Sequence, residues 1–237
     1  MPDMLDLLKG EMQALADQDK AKFLQRFFKT GPGQYGQGDI FMGIMVPASR
    51  EVARKYAAAG ISLADVKALL HSQIHEERLV ALLILVQKYQ KNPKEGIAQF
   101  YLENLAWVNN WDLVDLSAPA ILGAFLLDKK EDRSLLYGLA RSKVLWERRV
   151  SIVSTHAFIR KNDFSDTLKI SEMLLGDSHD LIHKAVGWML REVGKRDPAT
   201  EEEFLQKHYK KMPRTALRYA IERFSAEKRR SYMQGTA

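Results

Sequence analysis

Apolar residues recur at three- and four-residue intervals along nearly the whole chain. That is the period of a helix with one buried face. Segments of this kind include MLDLLKGEMQALA, DKAKFLQRFFK, EERLVALLILVQKYQ, ERRVSIVSTHAFIRK, DLIHKAVGWMLREVGK and RTALRYAIERF. Strand-type alternation is almost absent. Start and stop signals bound the segments at Asn92-Pro93, Asp177-Ser178, Asp197-Pro198 and Pro213. One stretch breaks the pattern. TGPGQYGQGD, residues 30–39, holds four glycines and a proline and cannot be helix. It is expected to form a long loop, either ordered or mobile.

The helical segments recur in pairs. RLVALLILVQKY, RVSIVSTHAFIR, KAVGWMLREVGK and RTALRYAIERF each begin with a base and continue with small and branched apolar residues. Their starts, Arg78, Arg149, Lys184 and Arg214, lie 71, 35 and 30 positions apart. WDLVDLSAPAILG sits inside the first gap. A helical period of roughly 30 to 40 residues marks an α-solenoid. Each pair leaves a face that only its neighbour covers, which builds an array with a concave surface. The expectation is an all-α superhelix of HEAT-like or armadillo type, a single helical-repeat domain over residues 1–237. EKRRSYMQG, from about residue 226, reads as a frayed basic tail.

Composition narrows the classes. The chain has 237 residues, 46% of them hydrophobic, enough for a substantial core. There is no cysteine, which removes disulfides and thiolate metal sites and suits a reducing cytoplasm. MPDMLDLLKGEMQALA lacks the apolar core of a secretion signal. The longest apolar run, LVALLILV at 79–86, is far too short to span a membrane. A net charge of +6 favours an anionic partner, nucleic acid ahead of a membrane surface.

Helical projection then assigns faces. In the segment 179–195, Ile182, Val186, Met189 and Val193 form the core stripe. Lys184, Trp188, Arg191 and Lys195 fall opposite. Cations follow phosphates and an indole face takes sugars, bases or cations. The plainer reading is a tryptophan under a neighbouring helix within a solvated face. Arg149, His156 and Arg160 share a side one repeat earlier, with Val153 among them. Arg214 and Arg218 do so one repeat later. In NNWDLVDLSAP, residues 109–119, Trp111 and Asp115 stand four apart, on one helix face. His71/His75 and His179/His183 have a spacing that could hold zinc but lack further ligands, and read as surface or capping residues. No phosphate-loop or nucleophile-elbow motif is present, and no metal or cofactor is expected.

WDLVD (111–115), WERR (146–149) and KAVGWMLRE (184–192) resemble, in order and spacing, the signature of the bacterial AlkD-type DNA alkylation repair glycosylases. The resemblance runs from about residue 20 to about 224. It implies a C-shaped HEAT-like solenoid with duplex DNA against a basic concave face, acting as a monomer in the bacterial cytoplasm, bound to the nucleoid when on DNA. It implies that Asp115 is the catalytic carboxylate, that Trp111 and Trp188 are its indoles, and that Arg149 is the nearby arginine. It places DNA contacts among Lys184, Arg191, Lys195, Arg160, Arg214 and Arg218. Where some members carry a cleft-facing tyrosine, this chain has Phe27 or Phe28. Tyr35, in the glycine-rich loop, is a candidate substitute and a further DNA contact. That loop resembles an insertion found in some members, able to contact DNA through its amides or to move as a flap.

This resemblance makes the Trp–Asp pair chemically sensible. Alkylation at N3 of adenine or N7 of guanine makes the purine cationic and its glycosidic bond weak. The expected activity is hydrolytic excision of 3-methyladenine and 7-methylguanine from duplex DNA. Base flipping is the usual route for such enzymes; the resemblance suggests instead that the lesion stays stacked. Two other classes remain in view: a non-catalytic HEAT-repeat protein recognising damaged or branched DNA, and a solenoid that binds protein.

Overall fold

The computed structural model describes residues 3–237 and is helical throughout. Among these residues the only β-type pairing is an isolated parallel bridge between Ile40 and Ile74. The chain packs as two compact units, Met1–Ser117 and Ala118–Ala237.

The first unit holds α1 (Met4–Ala14), α2 (Gln18–Phe27), α3 (Val46–Ala58), α4 (Leu63–Leu70), α5 (His75–Lys91), α6 (Glu95–Glu103) and α7 (Trp111–Ser117). Helices α3, α5 and α7 pack in succession, with α4 and α6 also against α5. Helix α5 is therefore walled on several sides. Leu79, Val80, Ala81, Leu82, Leu83, Ile84 and Leu85 are all buried. This explains a run that is apolar all round without being a membrane segment. No helix among the described residues is long and apolar enough to cross a membrane. Side chains cap several starts: Asp17 accepts from the amides of Asp19 and Lys20, and Ser62 and Asp65 form a reciprocal capping box.

The second unit opens with a turn of π-helix, Pro119–Gly123, followed by α8 (Ala124–Leu126), α9 (Ser134–Ala140), α10 (Leu145–Ser154), α11 (His156–Ile159), α12 (Ser165–Leu174), α13 (Asp180–Gly194), α14 (Pro198–His208), α15 (Arg214–Ala220) and α16 (Ala226–Gln234). Here α10, α13 and α15 stack in succession, and α9, α12 and α14 form the paired row. The stacked helices carry the repeated segments found in the sequence, as an α-solenoid requires. The segment read as a frayed tail is instead helix α16. Tyr232 is buried against Tyr209 and Phe224, and Gly235 closes the helix in the left-handed conformation.

A recurring turn fixes the register of the repeats. Ser72 Oγ accepts from the Ile74 amide, Ser142 Oγ from the Val144 amide, and Asp177 Oδ1 from the His179 amide. Six residues beyond each of these, a basic side chain donates back to the turn's own carbonyl. Arg78 reaches Ser72 O at 2.8 Å, Arg148 reaches Ser142 O at 3.0 Å, and His183 reaches Asp177 O at 2.5 Å. The equivalent positions are thus 78, 148 and 183, not 78, 149 and 184. The one-residue slip arises because Arg148 and Arg149 are adjacent, and the sequence does not say which one ties the turn.

Helices α13 and α15 meet closely at Gly187. A Cβ there would lie 2.3 Å from the Ala216 carbonyl oxygen and 2.5 Å from the Tyr219 Cβ. On helix propensity alone, Gly187→Ala should gain about 1 kcal/mol. The contact reverses the sign. We expect Gly187→Ala to lower the stability of the protein by roughly 1–3 kcal/mol, measured as a fall in the urea midpoint with an unchanged slope.

Candidate active site

Helix α7 begins where the chain leaves Asn109 and Asn110. The Asn110 Oδ1 accepts the Trp111 amide at 2.9 Å, and its Nδ2 donates to Asp39 Oδ2 at 3.0 Å. Trp111 and Asp115 are both half-buried, one turn apart on α7. Leu113, Val114 and Ser117 on the other side are buried, and Ser117 Oγ meets the phenol of the buried Tyr101. Burial drives the Tyr101 hydroxyl far above its ordinary pKa, and the negative charge of Asp115 adds to this. The carboxylate of Asp115 therefore makes itself felt inside the first unit.

The indole of Trp111 is held by aromatic contacts. Phe28 stacks on it with ring centres 5.2 Å apart and planes 13° from parallel, and Phe27 meets it edge-on at 6.0 Å. Phe28 is buried and also packs on Phe41 and His75. Phe27 remains 54% exposed. The two phenylalanines thus divide the work: Phe28 supports the indole and Phe27 faces outward beside it.

Behind the indole lies a buried row of charges. The His75 imidazole is 3.0 Å from Asp39 Oδ2 through Nδ1 and 2.8 Å from Asp112 Oδ2 through Nε2. Arg78 donates to the other oxygen of Asp39 at 2.6 Å. Burial alone would depress the pKa of His75, but the carboxylates of Asp112 and Asp39 outweigh it and raise the value to about 9. The ring is thus a cation at neutral pH, donating from both nitrogens. Burial would raise the pKa of Asp39, yet His75, Arg78 and Asn110 together bring it below the ordinary carboxylate value. His75 is only 1% exposed, so it is neither the surface nor the capping residue its position suggested. His179 does cap α13, accepting the Leu181 amide through Nδ1.

This row orders the glycine-rich loop. Asp39 closes residues 30–39 and is buried, while Tyr35 within the loop is half-buried. The next residues are fixed as well. Glu76 accepts the amides of Met42, Gly43 and Ile44 at 3.0, 2.8 and 3.2 Å. Gly43 has φ +85°, and a side chain there would collide with the Asp17 carbonyl. The loop is therefore the ordered alternative, tied to α5 and α7 by carboxylates.

In the second unit, Ile182, Val186, Met189 and Val193 are buried as projected. Trp188 is half-buried, donates through Nε1 to Glu192 at 3.1 Å, and lies 5.7 Å from the His156 ring. Burial and the neighbouring Arg160 hold the His156 pKa below its usual value, so that ring is neutral. The projected basic stripe carries its own acids. Lys184 pairs with Asp180 at 2.8 Å, Lys195 with Glu192 at 2.6 Å, and Arg191 with Glu222. Arg160, Arg214 and Arg218 are exposed, and Arg214 also reaches the Met233 carbonyl. Arg149 is 5% exposed and donates from Nη1 to the Leu181 carbonyl at 2.5 Å. It is a buried tie to the start of α13, whereas Arg148 pairs with Asp177.

The pH dependence follows from His75. Its folded-state pKa lies above the unfolded value of 6.5. Its contribution is therefore complete below pH 6.5 and disappears as pH rises through about 9. We expect stability to fall by an amount on the order of 3 kcal/mol across that window. Urea titrations at a series of pH values should show this fall in the native chain and a much flatter profile in His75→Gln.

With this geometry described, comparison with known proteins is informative. The sequence profile described as DNA alkylation repair enzyme matches residues 8–224. No curated protein matches the chain at a significant level. Among solved structures, a predicted DNA alkylation repair enzyme from Enterococcus faecalis superposes with a TM-score of 0.72 at 18% identity, covering 89% of this chain and 97% of that one. AlkD2 from Streptococcus mutans gives a TM-score of 0.57 at 16% identity, covering 88% of this chain and 99% of that one. The protein smu.31 from Streptococcus mutans UA159 gives 0.55 at 15% identity, covering 94% and 99%. These structures share the α-helical repeat fold. The matched profile spans nearly the whole chain, and the chain belongs to the DNA alkylation repair enzyme family.

Proposed function

We propose that the chain is a monofunctional DNA glycosylase that hydrolyses the N-glycosidic bond of cationic alkylated purines, 3-methyladenine and 7-methylguanine, in duplex DNA. The observation that carries this reading is the division of labour on α7. Asp112 is committed to His75 at 2.8 Å, and Asp115 stands one turn from a half-exposed, rigidly backed Trp111. A carboxylate beside an indole suits a developing sugar cation. Phosphate binding alone has no use for one, which weighs against a non-catalytic DNA-binding role.

The chemistry follows simply. The alkylated purine already carries the positive charge, so it departs as a neutral base without being protonated. The C1′–N bond breaks, positive charge develops on the deoxyribose, and water attacks C1′, passing its proton to a base. Asp115 stabilises the cation and accepts that proton. Indole faces at Trp111 and Trp188 add attraction for the cation and keep other water away. Opposite unit charges about 4 Å apart at an effective dielectric of about 20 attract by about 4 kcal/mol. That corresponds to roughly three orders of magnitude in rate. Arg149, Lys184, Arg191, Lys195, Arg160, Arg214, Arg218 and Tyr35 are the residues proposed to hold or approach the DNA backbone.

The direct test incubates the chain with methylated duplex DNA and measures free 3-methyladenine and 7-methylguanine. Asp115→Asn should lower the single-turnover rate by about a thousandfold while DNA affinity changes little. Release at an undiminished rate would remove Asp115 from the mechanism. DNA binding without any release by the native chain would favour the non-catalytic alternative.

A further inference from the structure

Helix α2 has an unusual surface for a helix of this composition. Four of its ten residues, Ala21, Phe23, Leu24 and Phe27, are apolar, yet none of the ten is fully buried. The helix is held at its ends, by Asp17 before it and by Phe28 after it. Phe23 and Phe27 stand outside these anchors, each 54% exposed. Their rings are 6.1 Å apart and 17° from parallel, and Phe27 continues the aromatic surface to Trp111. Leaving two such rings in water forgoes roughly 1.5–3 kcal/mol apiece. Single exposed apolar side chains are ordinary, but a near-parallel pair abutting a candidate active-site indole is a continuous patch.

The neighbouring stripe of the same helix is cationic. Lys22 and Arg26 lie one position before Phe23 and Phe27 and repeat with the same i, i+4 spacing. They line an open cavity of about 650 Å³ with Gln25, Thr30, Gly31 and Gln34. No acidic residue lines it. The Gln34 side chain is fixed by accepting the Gly31 amide at 3.0 Å. Lys22 has only a fully exposed pairing with Asp19, which a phosphate can readily displace.

From this juxtaposition we infer that α2 and the start of the glycine-rich loop form a platform for one displaced nucleobase of a DNA strand, its face on Phe23 and Phe27 and its adjoining phosphates on Lys22 and Arg26. The partner is identified by complementarity. Cations at i and i+4 match a phosphate backbone, and flat rings alongside match a base face. Inside a duplex those faces are covered by their neighbours, so the platform selects a base out of the stack. The inference rests on the chain acting on DNA, as the proposed glycosylase reading requires, but not on Asp115 chemistry.

The test uses the full chain carrying Asp115→Asn and unmodified oligonucleotides, followed by fluorescence anisotropy. One probe is fully paired, and the other carries a single unpaired nucleotide. The chain should prefer the second probe. Phe23→Ala/Phe27→Ala should reduce that preference about tenfold, since a base–ring stack is worth about 1–3 kcal/mol, with affinity for the paired probe little changed. Lys22→Ala/Arg26→Ala should weaken both and lower the slope of log affinity against log salt by up to about 1.8. Both pairs are exposed, so circular dichroism should report an intact fold. An undiminished preference in the phenylalanine variant would overturn the platform. So would a native dimer that the variant converts to monomer, because the rings would then cover a second copy. Failure to release methylated purines by the Asp115-containing chain would refute the glycosylase reading alone.

Discussion

The candidate site depends on a buried cation between two buried anions. His75 binds Asp39 at the end of the glycine-rich loop and Asp112 in the first turn of α7. Asp39 in turn binds Arg78 on α5 and Asn110 at the entrance to α7. One imidazolium thus joins three segments that are far apart in sequence. Such an arrangement is costly to desolvate and brings little net stability over an apolar core of the same shape. Its merit is geometric. Each contact has a defined length and direction, and losing any partner leaves a buried charge uncompensated. The register of α7 follows from it, and the direction of Trp111 follows from α7 and from Phe28.

The repeats solve a simpler problem by the same means. A short polar side chain caps the turn, and a basic residue six positions later ties the turn's carbonyl back to the following helix. The device tolerates change in its parts. Ser72 and Ser142 become Asp177, and Arg78 and Arg148 become His183. What is retained is one acceptor near the turn and one donor a helical reach away. The α7 entrance departs from the device: Asn110 faces Asp39 and the Trp111 amide instead. The repeat is altered where the site sits, as expected when a position serves function rather than stacking.

This pattern explains what the sequence revealed and what it concealed. Helical periodicity is local, so the all-α class, the stacked segments and the core stripe of α13 could be read directly. The Trp111–Asp115 pair was visible for the same reason, since four residues on a helix make one face. The His75 row was not visible, because its partners lie 36 and 37 residues away. Nothing at Asp39 distinguishes it from a loop carboxylate. Charge was the other weak guide. Lys184, Arg191 and Lys195 looked like a basic stripe because cations were counted without Asp180, Glu192 and Glu222, which pair with them. The C-terminal helix was missed because only Tyr232 and the Ser225 and Gly235 caps distinguish it from a solvated tail.

The row of charges also constrains which acid on α7 can serve chemistry. Asp112 and Asp115 are both short carboxylates near Trp111, and composition alone does not separate them. Asp112 already faces a buried imidazolium, whose charge cancels the field a sugar cation would need. Its protonation state is also coupled to the fold, so a proton taken from water would weaken the contact holding α7 in place. A carboxylate one turn further along avoids that conflict, because its charge can change during a reaction without loosening the helix that carries it. The physical demand is thus for two acids with separate tasks on one short helix, and the spacing in WDLVD meets it with a single helical turn between them.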